Sequence, residues 1–417
     1  MNSRWPPRTP SPWAQGVPSV KLPIYLDHHS TTPCDARVVE AMAPYWTTEF
    51  GNAASRTHAF GWRAEEAVES ARMNVARLIG AGAREVVFTS GATESNNLAL
   101  QGVARAYRER GDHIITCCTE HRAVLDPCSA LEKEGFRVTR LPVDEDGLID
   151  TDALRKALEP RTILISIMHA NNEIGVVQPL EEIGRLTSEH GVLFHTDAAQ
   201  SVGKISVDVD RLGVDLLSLS AHKFYGPKGI GALYVRRRGP ALRVSPLLHG
   251  GGHERGLRSG TLPVPLCVGL GRAAEIAAEE YEADAKRIGQ LRDRLWKGLS
   301  ARLEEVWLNG HARQRVPGNL NLSFVGIEAQ ALLVALSDVA LSSGSACTSA
   351  QPEPSHVIRA LGFGEARALG AVRFGLGRST SEEEIDAVTE MLVRELERLR
   401  GMSPLWQERG RARSRAL

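Results

Sequence analysis

Four short stretches of this 417-residue chain place a chemically competent side chain where an apolar run ends. In open α/β sheets ligands collect at the carboxyl ends of strands, so these are the places to read first. Residues 86–97, VVFTSGATESNN, read as a strand, a Gly-Ala-Thr turn and a helical start. Backbone N–H groups at a helix start, with the Thr93 hydroxyl, suit a phosphate; the competing reading is a capped turn that binds nothing. Residues 192–200, VLFHTDAAQ, end an apolar strand on Asp197. A buried carboxylate there requires a cationic partner, such as a protonated ring nitrogen, or several donors, unless Asp197 is simply a helix cap. Residues 216–231, LLSLSAHKFYGPKGIG, set Lys223 among small and aromatic residues after another apolar strand. A desolvated lysine has a lowered pKa and becomes a Schiff-base nucleophile, with Ser220 and His222 beside it to hold an anion. The alternative is a lysine that extends from the turn into water. Residues 342–349, SSGSACTS, carry one cysteine, Cys347, in a loop of small hydroxyl residues bounded by Pro352 and Pro354. Such a thiol is open to local activation, or else is incidental to the loop.

Two further constellations carry no metal reading. His249 and His253 have i, i+4 spacing, but Gly250 to Gly252 between them oppose the helix that a zinc pair needs. Cys117 and Cys118 are adjacent at a strand end, point to opposite faces and suit core packing. The glycines at 226, 229 and 231 fit neither a Walker loop nor a dinucleotide fingerprint, because the order of strand and helix is wrong.

The elements that must position these residues follow from periodicity. Val68, Ala71, Val75 and Leu78 share one helical face, and Glu85 to Phe88 read as a strand. The alternation returns at 113–116 and 123–135, at 162–168 and 180–190, and at 192–195 before Asp197. It predicts an α/β fold with a mostly parallel central sheet covered by helices. After about residue 275 the pattern changes. Ile288, Leu291, Leu295 and Leu299 mark a long amphipathic helix, short strands follow near 319–324 and 338–341, and Ile385, Val388, Leu392, Leu396 and Leu399 line a final helix. That helix opens on a capping box from Ser381 to Glu384. The expected organisation is a disordered extension at 1–22 with five prolines, a large domain at 23–275, a smaller α+β domain at 276–405 with the cysteine loop, and an Arg-rich tail at 406–417.

Composition narrows the function classes. Lys plus Arg and Asp plus Glu both number 50, so no basic field points to nucleic acid. No apolar run approaches the ~18 residues of a membrane span. Six cysteines at 34, 117, 118, 128, 267 and 347 form no C-x-x-C pair and read as free thiols of a reducing compartment, hence a cytoplasmic location.

Taken together, the segments resemble a pyridoxal-phosphate-dependent cysteine desulfurase of the class-V aminotransferase group, of the IscS-like housekeeping type. The likeness runs from about Tyr25 to Trp406 through LDHHSTTP (26–33), TSGATESNN, TEHRAV (119–124), NNEIGVVQP (171–179), HTDAAQ, SAHKFYGPKG, GGGHERGLRSGT (250–261), SSGSACTS, RFGLGR (373–378) and MSPLW (402–406). The resemblance implies a PLP-dependent transferase of fold type I, with Lys223 bound covalently to pyridoxal 5'-phosphate and Asp197 on its ring nitrogen. It implies His121 stacked on the ring, Gln200 and Asn172 at the ring or its phenolic oxygen, and a phosphate held by Ala92, Thr93, Ser220, His222 and a Thr261 reaching over from a second subunit. A homodimer follows from that last contact. Arg373 would clamp the carboxylate of L-cysteine, and Cys347 would take its sulfur as a persulfide and release alanine. The resemblance further implies delivery to an iron–sulfur scaffold protein or other sulfur acceptors, tRNA thiolation among them. No resident metal is expected, although Cys347 would meet a cluster on the scaffold. A selenocysteine lyase, a transaminase and a non-catalytic scaffold are the competing readings; the last predicts loss of Lys223, Asp197 or Cys347, and all three are present.

Overall fold

The computed structural model describes residues 20–237, 242–343, 354–404 and 406–407. Most of the proline-rich start, the Arg-rich end and Cys347 with its loop lie outside the described residues. Among the described residues twelve strands run in chain order as β1 (Ile24–Tyr25), β2 (Val86–Thr89), β3 (His113–Cys117), β4 (Arg137–Leu141), β5 (Thr162–Ser166), β6 (Leu193–Asp197), β7 (Leu216–Ser220), β8 (Gly231–Val235), β9 (Val306–Leu308), β10 (Asn319–Phe324), β11 (Val339–Ala340) and β12 (Ala371–Gly375).

Seven of them form one sheet in the order β2-β8-β7-β6-β5-β3-β4. Every pairing is parallel except those of β8, which runs against both β2 and β7. Two antiparallel steps restore the direction, so β2, β3, β5, β6 and β7 all end at the same edge. The inner strands β5, β7 and β8 are buried throughout because helices cover both faces, and their sequences are accordingly mostly apolar, with small hydroxyl residues among them. Two histidines interrupt this apolar interior. His195 on β6 bonds Ser166 on β5 at 2.8 Å through Nδ1 and Ser218 on β7 at 3.0 Å through Nε2. His113 on β3 likewise bonds Thr162 on β5 and Thr139 on β4, at 2.8 and 2.9 Å. Each imidazole satisfies both nitrogens across two strand boundaries, so a register slip would strand buried polar atoms.

The core divides into four clusters, and the two largest concern the site. One part holds Phe88, Ile115, Ile165, Phe194 and Leu217. The other holds Leu295, Leu320, Phe324, Phe374, Val388 and Leu392 around the antiparallel β12-β10-β9 sheet. A single helix of 37 residues, Val264–Ser300, serves both. Its Cys267, Leu270 and Ala274 belong to the first core and its Ile288, Leu291, Leu295 and Leu299 to the second. The change of character near residue 275 is thus a change of packing partner in mid-helix. At Gly271 an added Cβ would lie 2.4 Å from Ala71 Cα of the helix Ala59–Leu78, so only glycine permits that crossing. Residues 24–26 pack with the second core, because β1 pairs in parallel with β11 and Ile24 and Leu26 are buried there. The final helix, Glu382–Met402, opens on the expected reciprocal box: Glu384 N donates to Ser381 Oγ at 3.2 Å and Ser381 N to Glu384 Oε2 at 3.0 Å. Among the described residues no helix is long and apolar enough to cross a membrane.

Burial pushes His195 down to about 3 and His28, His169 and His222 down to about 4. The unfolded chain titrates these rings near ~6.5, so between the two values it binds protons that the folded protein refuses. Their contribution to stability is full above that window and falls as the pH drops through it. Glu173, raised by burial to about 7, acts with the opposite sign and loses its contribution as the pH rises. His195→Gln should therefore lower the urea midpoint at pH 7, by the equivalent of about 1 kcal/mol for a lost hydrogen bond. The gap to the wild type should narrow at pH 5; a gap that widens with acidity would contradict the neutral, doubly bonded ring.

Candidate active site

At the common carboxyl edge of β2, β3, β5, β6 and β7 lies a cavity of about 500 Å³, within the size range of small-molecule sites. Ala92, Thr93, His121, Asn172, Asp197, Gln200, Ser220, His222, Lys223 and Arg373 all line it. Thr261 does not; it is exposed on the same chain. Cys347 falls outside the described residues.

Asp197 is the last residue of β6 and is 6% exposed. Asn96 Nδ2 donates to its Oδ2 at 2.7 Å and Ala199 N to its Oδ1 at 2.9 Å. Both donors are neutral, so they hold the carboxylate in position without cancelling its charge. Beyond β2, Gly91 adopts a φ of 152° and starts the helix Ala92–Ala106, whose N-terminus has no side-chain cap. Uncapped N–H groups and the helix dipole favour an anion at that point. Ser220 ends β7 beside it, its Oγ 3.6 Å from where a Gly91 Cβ would stand. The one carboxylate of this first turn, Glu94, is paired with Arg258 at 2.9 Å.

His121 caps the helix Arg122–Lys133 by accepting Ala123 N–H on Nδ1 at 3.1 Å. That bond settles the tautomer: the neutral ring carries its proton on Nε2. Desolvation lowers the His121 pKa; Asp197 opposes the shift and Lys223 adds to it. The buried Glu120 carboxyl next to it accepts Met168 N–H, which ties the loop after β3 to the loop after β5.

Lys223 closes a single 3₁₀ turn, Ala221–Lys223, after β7. Its Nζ donates to the carbonyl oxygens of His29 and Ser30 at 2.7 and 2.8 Å. The same N-terminal segment braces the turn from below. Thr32 N and Oγ1 both donate to His222 O, and Thr32 Oγ1 accepts Tyr225 N–H at 2.8 Å. Tyr225 sits at φ 67°, in the left-handed region, which is costly for a bulky side chain. Its hydroxyl accepts Arg378 N–H at 2.5 Å and its ring lies 4.2 Å from the Arg378 guanidinium carbon, contacts that hold it there. The His222 pKa falls to about 4, chiefly through desolvation and then through Lys223 and Lys228, so the ring is neutral near pH 7.

Arg373 comes from β12 of the second core and reaches the same cavity. Nη1 donates to Asn172 O at 2.9 Å, while Nη2 donates to Asp27 Oδ1 at 2.8 Å and Ser30 Oγ at 2.7 Å. Nε is buried with no partner among the described residues. A forked contact with a substrate carboxylate therefore has to displace one of these partners, and the neutral Ser30 hydroxyl is a weaker acceptor than the Asp27 carboxylate.

Sequence reading brings together ten residues that do share one cavity, and it misses Asn96, His29, Ser30 and Asp27. Asn96 stands inside the TSGATESNN string, but its partner is 101 residues away. The other three lie on irregular backbone, where no periodicity marks an inward side.

Comparison with known proteins agrees with this geometry. The class-V aminotransferase family model matches residues 24–388. The cysteine desulfurase IscS of Anaeromyxobacter sp. (strain Fw109-5) is 60% identical over 388 residues, covering 93% of this chain and 96% of that one. The chain belongs to the class-V aminotransferase family, among the IscS cysteine desulfurases. The cysteine desulfurase IscS of Rickettsia peacockii (strain Rustic) is 55% identical over 389 residues, 93% of this chain and 95% of its own. Of solved structures, a NifS-like protein superposes with a TM-score of 0.84 at 39% identity, over 90% of this chain and 99% of that one. SspA in complex with cysteine gives 0.76 at 40%, over 85% and 99%.

The Asp27–Arg373 pair is nearly dry, with side chains 16% and 5% exposed. Removing one partner of such a pair costs about 3–5 kcal/mol because the other charge is left uncompensated. Asp27→Ala should lower the thermal midpoint clearly and Asp27→Asn by less; unchanged midpoints in both would show that the pair does not hold the two cores together.

Proposed function

We propose that the protein is a pyridoxal-phosphate-dependent cysteine desulfurase that converts L-cysteine to L-alanine and carries the sulfur away as a persulfide on Cys347. The observation that carries this reading is one cavity lined by a strand-end carboxylate, a lysine amine and an uncapped helix N-terminus. The donor set suits the cofactor. Among the described residues the donors to Asp197 are both neutral, so its carboxylate would suit a protonated ring nitrogen. The helix start at Ala92 and Thr93, the Ser220 hydroxyl and His222 suit a phosphate, with Thr261 of a second subunit completing it in a homodimer. His121, Gln200 and Asn172, which line the same cavity, would hold the cofactor's ring, His121 by its imidazole face and the two amides by hydrogen bonds. When bound, the cofactor supplies an electron sink that acidifies the hydrogen on the substrate Cα.

The chain's own residues do the rest. Arg373 orients the substrate through its carboxylate, exchanging the Ser30 hydroxyl for it. Lys223 Nζ takes the Cα proton, and His121 Nε2 holds a further proton in the cavity. The Cys347 thiolate attacks the substrate sulfur, so an S–S bond forms and the C–S bond breaks with its electron pair going to Cβ; Cβ gains one proton, the equivalent of the substrate thiol's, Cα regains the proton that Lys223 took, and alanine leaves a persulfide anion on Cys347. In this reading the first core is the cofactor-binding domain, with residues 276–405 as the smaller one. An iron–sulfur scaffold protein takes the sulfur in a reducing cytoplasm, where Cys34, Cys117, Cys118, Cys128 and Cys267 stay free thiols.

Treatment of the protein with L-cysteine, alkylation and peptide mass spectrometry should place one extra sulfur on Cys347. Cys347→Ser should still alter the spectrum on adding cysteine but make almost no alanine. Extra sulfur on Cys117, Cys118 or Cys128, or full alanine production by the variant, would refute the mechanism.

A further inference from the structure

Gln200 lines the cavity, and behind it stands a second lysine to which the reaction outlined above gives no task. Lys204 Nζ donates to Gln200 Oε1 at 2.8 Å. The same oxygen faces His29 Nδ1 at 2.9 Å, and Gln200 Nε2 donates to His29 O at 2.8 Å. The amide is thus fixed at both ends, its oxygen held by two donors. One Nε2 hydrogen is committed to His29 O, and the second is the only hydrogen-bonding hydrogen that the side chain has left to offer a ligand. A flipped amide would bring its N–H₂ against the Lys204 amine and would present an acceptor to the cavity instead.

The geometry points to Lys204 as a positioning residue: by holding the Gln200 oxygen, it keeps Gln200 a hydrogen-bond donor toward the cofactor's phenolic oxygen. This rests on the reading given under Proposed function and adds a residue to it. A phenolic oxygen flanked by a basic nitrogen on Lys223 needs a donor, not an acceptor, if the ring is to keep its negative oxygen. Lys204 is faced by His28 and His29 from the segment before Thr32, by His222 and Lys223 from the turn after β7, by Arg373 from β12 and by Asp284 across a small adjoining cavity. Burial and then the two cations Lys223 and Arg373 lower its pKa, so its service to Gln200 is that of a close, fixed donor.

The test is a pH titration of the visible absorption band of the holoenzyme, which reports the proton shared between the lysine-bound nitrogen and the phenolic oxygen. Lys204→Met should raise the midpoint by at least half a pH unit, since a loosened Gln200 no longer favours the deprotonated nitrogen. Lys204→Gln, which keeps a donor amide, should fall between the two and guards against a variant that fails to fold. In a Gln200→Ala background Lys204→Met should produce no further shift, because its route of action is gone. An unmoved midpoint in both single variants would overturn the proposal. So would an equal shift with and without Gln200, which would mean that Lys204 acts by its own charge. A wild-type protein with no visible band after incubation with pyridoxal phosphate would instead refute the cofactor reading itself.

Discussion

The two hydrogen bonds from Lys223 Nζ to the carbonyl oxygens of His29 and Ser30 join the site to a segment that belongs to none of the three sheets. That segment, Asp27 to Asp35, is what the rest of the arrangement leans on. It enters from β1, which pairs with the second core, and its Asp27 and Ser30 hold Arg373 of β12. It leaves by bracing the Lys223 turn through Thr32, and Asp35 N donates to Tyr225 O at 2.9 Å. The lysine and the arginine come from different cores, about 150 residues apart in sequence. Their relative placement is set by nine residues of irregular backbone whose polar groups are almost fully employed.

Charge balance explains why the cavity suits small anions. Lys223, Lys228 and Arg373 line it against Asp197 and Glu94. Glu94 is neutralised by Arg258 and part of Arg373 by Asp27, so the surplus is positive at the helix start and at the mouth of β7. Buried imidazoles could have added to it, but desolvation keeps His28, His29 and His222 neutral, and they serve as fixed dipoles. Preorganised dipoles and a few well-placed charges in a desolvated site act more strongly than the same groups in water.

Regular elements were legible from periodicity because their information is local. The strand at 319–324 and the helix at 180–190 stand where the apolar pattern places them, and the Ser381 box caps the last helix. The strand expected over 162–168 ends at Ser166, because Met168 must turn to donate to Glu120. The ten cavity residues were legible too, seven of them within the stretches read at strand ends and the other three, His121, Asn172 and Arg373, through the family resemblance. What periodicity could not reach is the bridge at residues 27–35, whose partners lie 171 to 347 positions away and whose backbone repeats nothing. Lys204 lies between these cases: its i, i+4 spacing from Gln200 is visible in the text, but the task of that spacing appears only once Gln200 is seen facing the cavity.

The central claim is that this bridge delivers Lys223, and no other lysine, to the reactive position. Reduction of the cofactor-loaded protein with borohydride, followed by digestion and peptide mapping, tests it directly. The account predicts the pyridoxyl group on the peptide containing Lys223, at one group per chain. Finding it on Lys228, which shares the cavity, or on Lys204 would contradict the account.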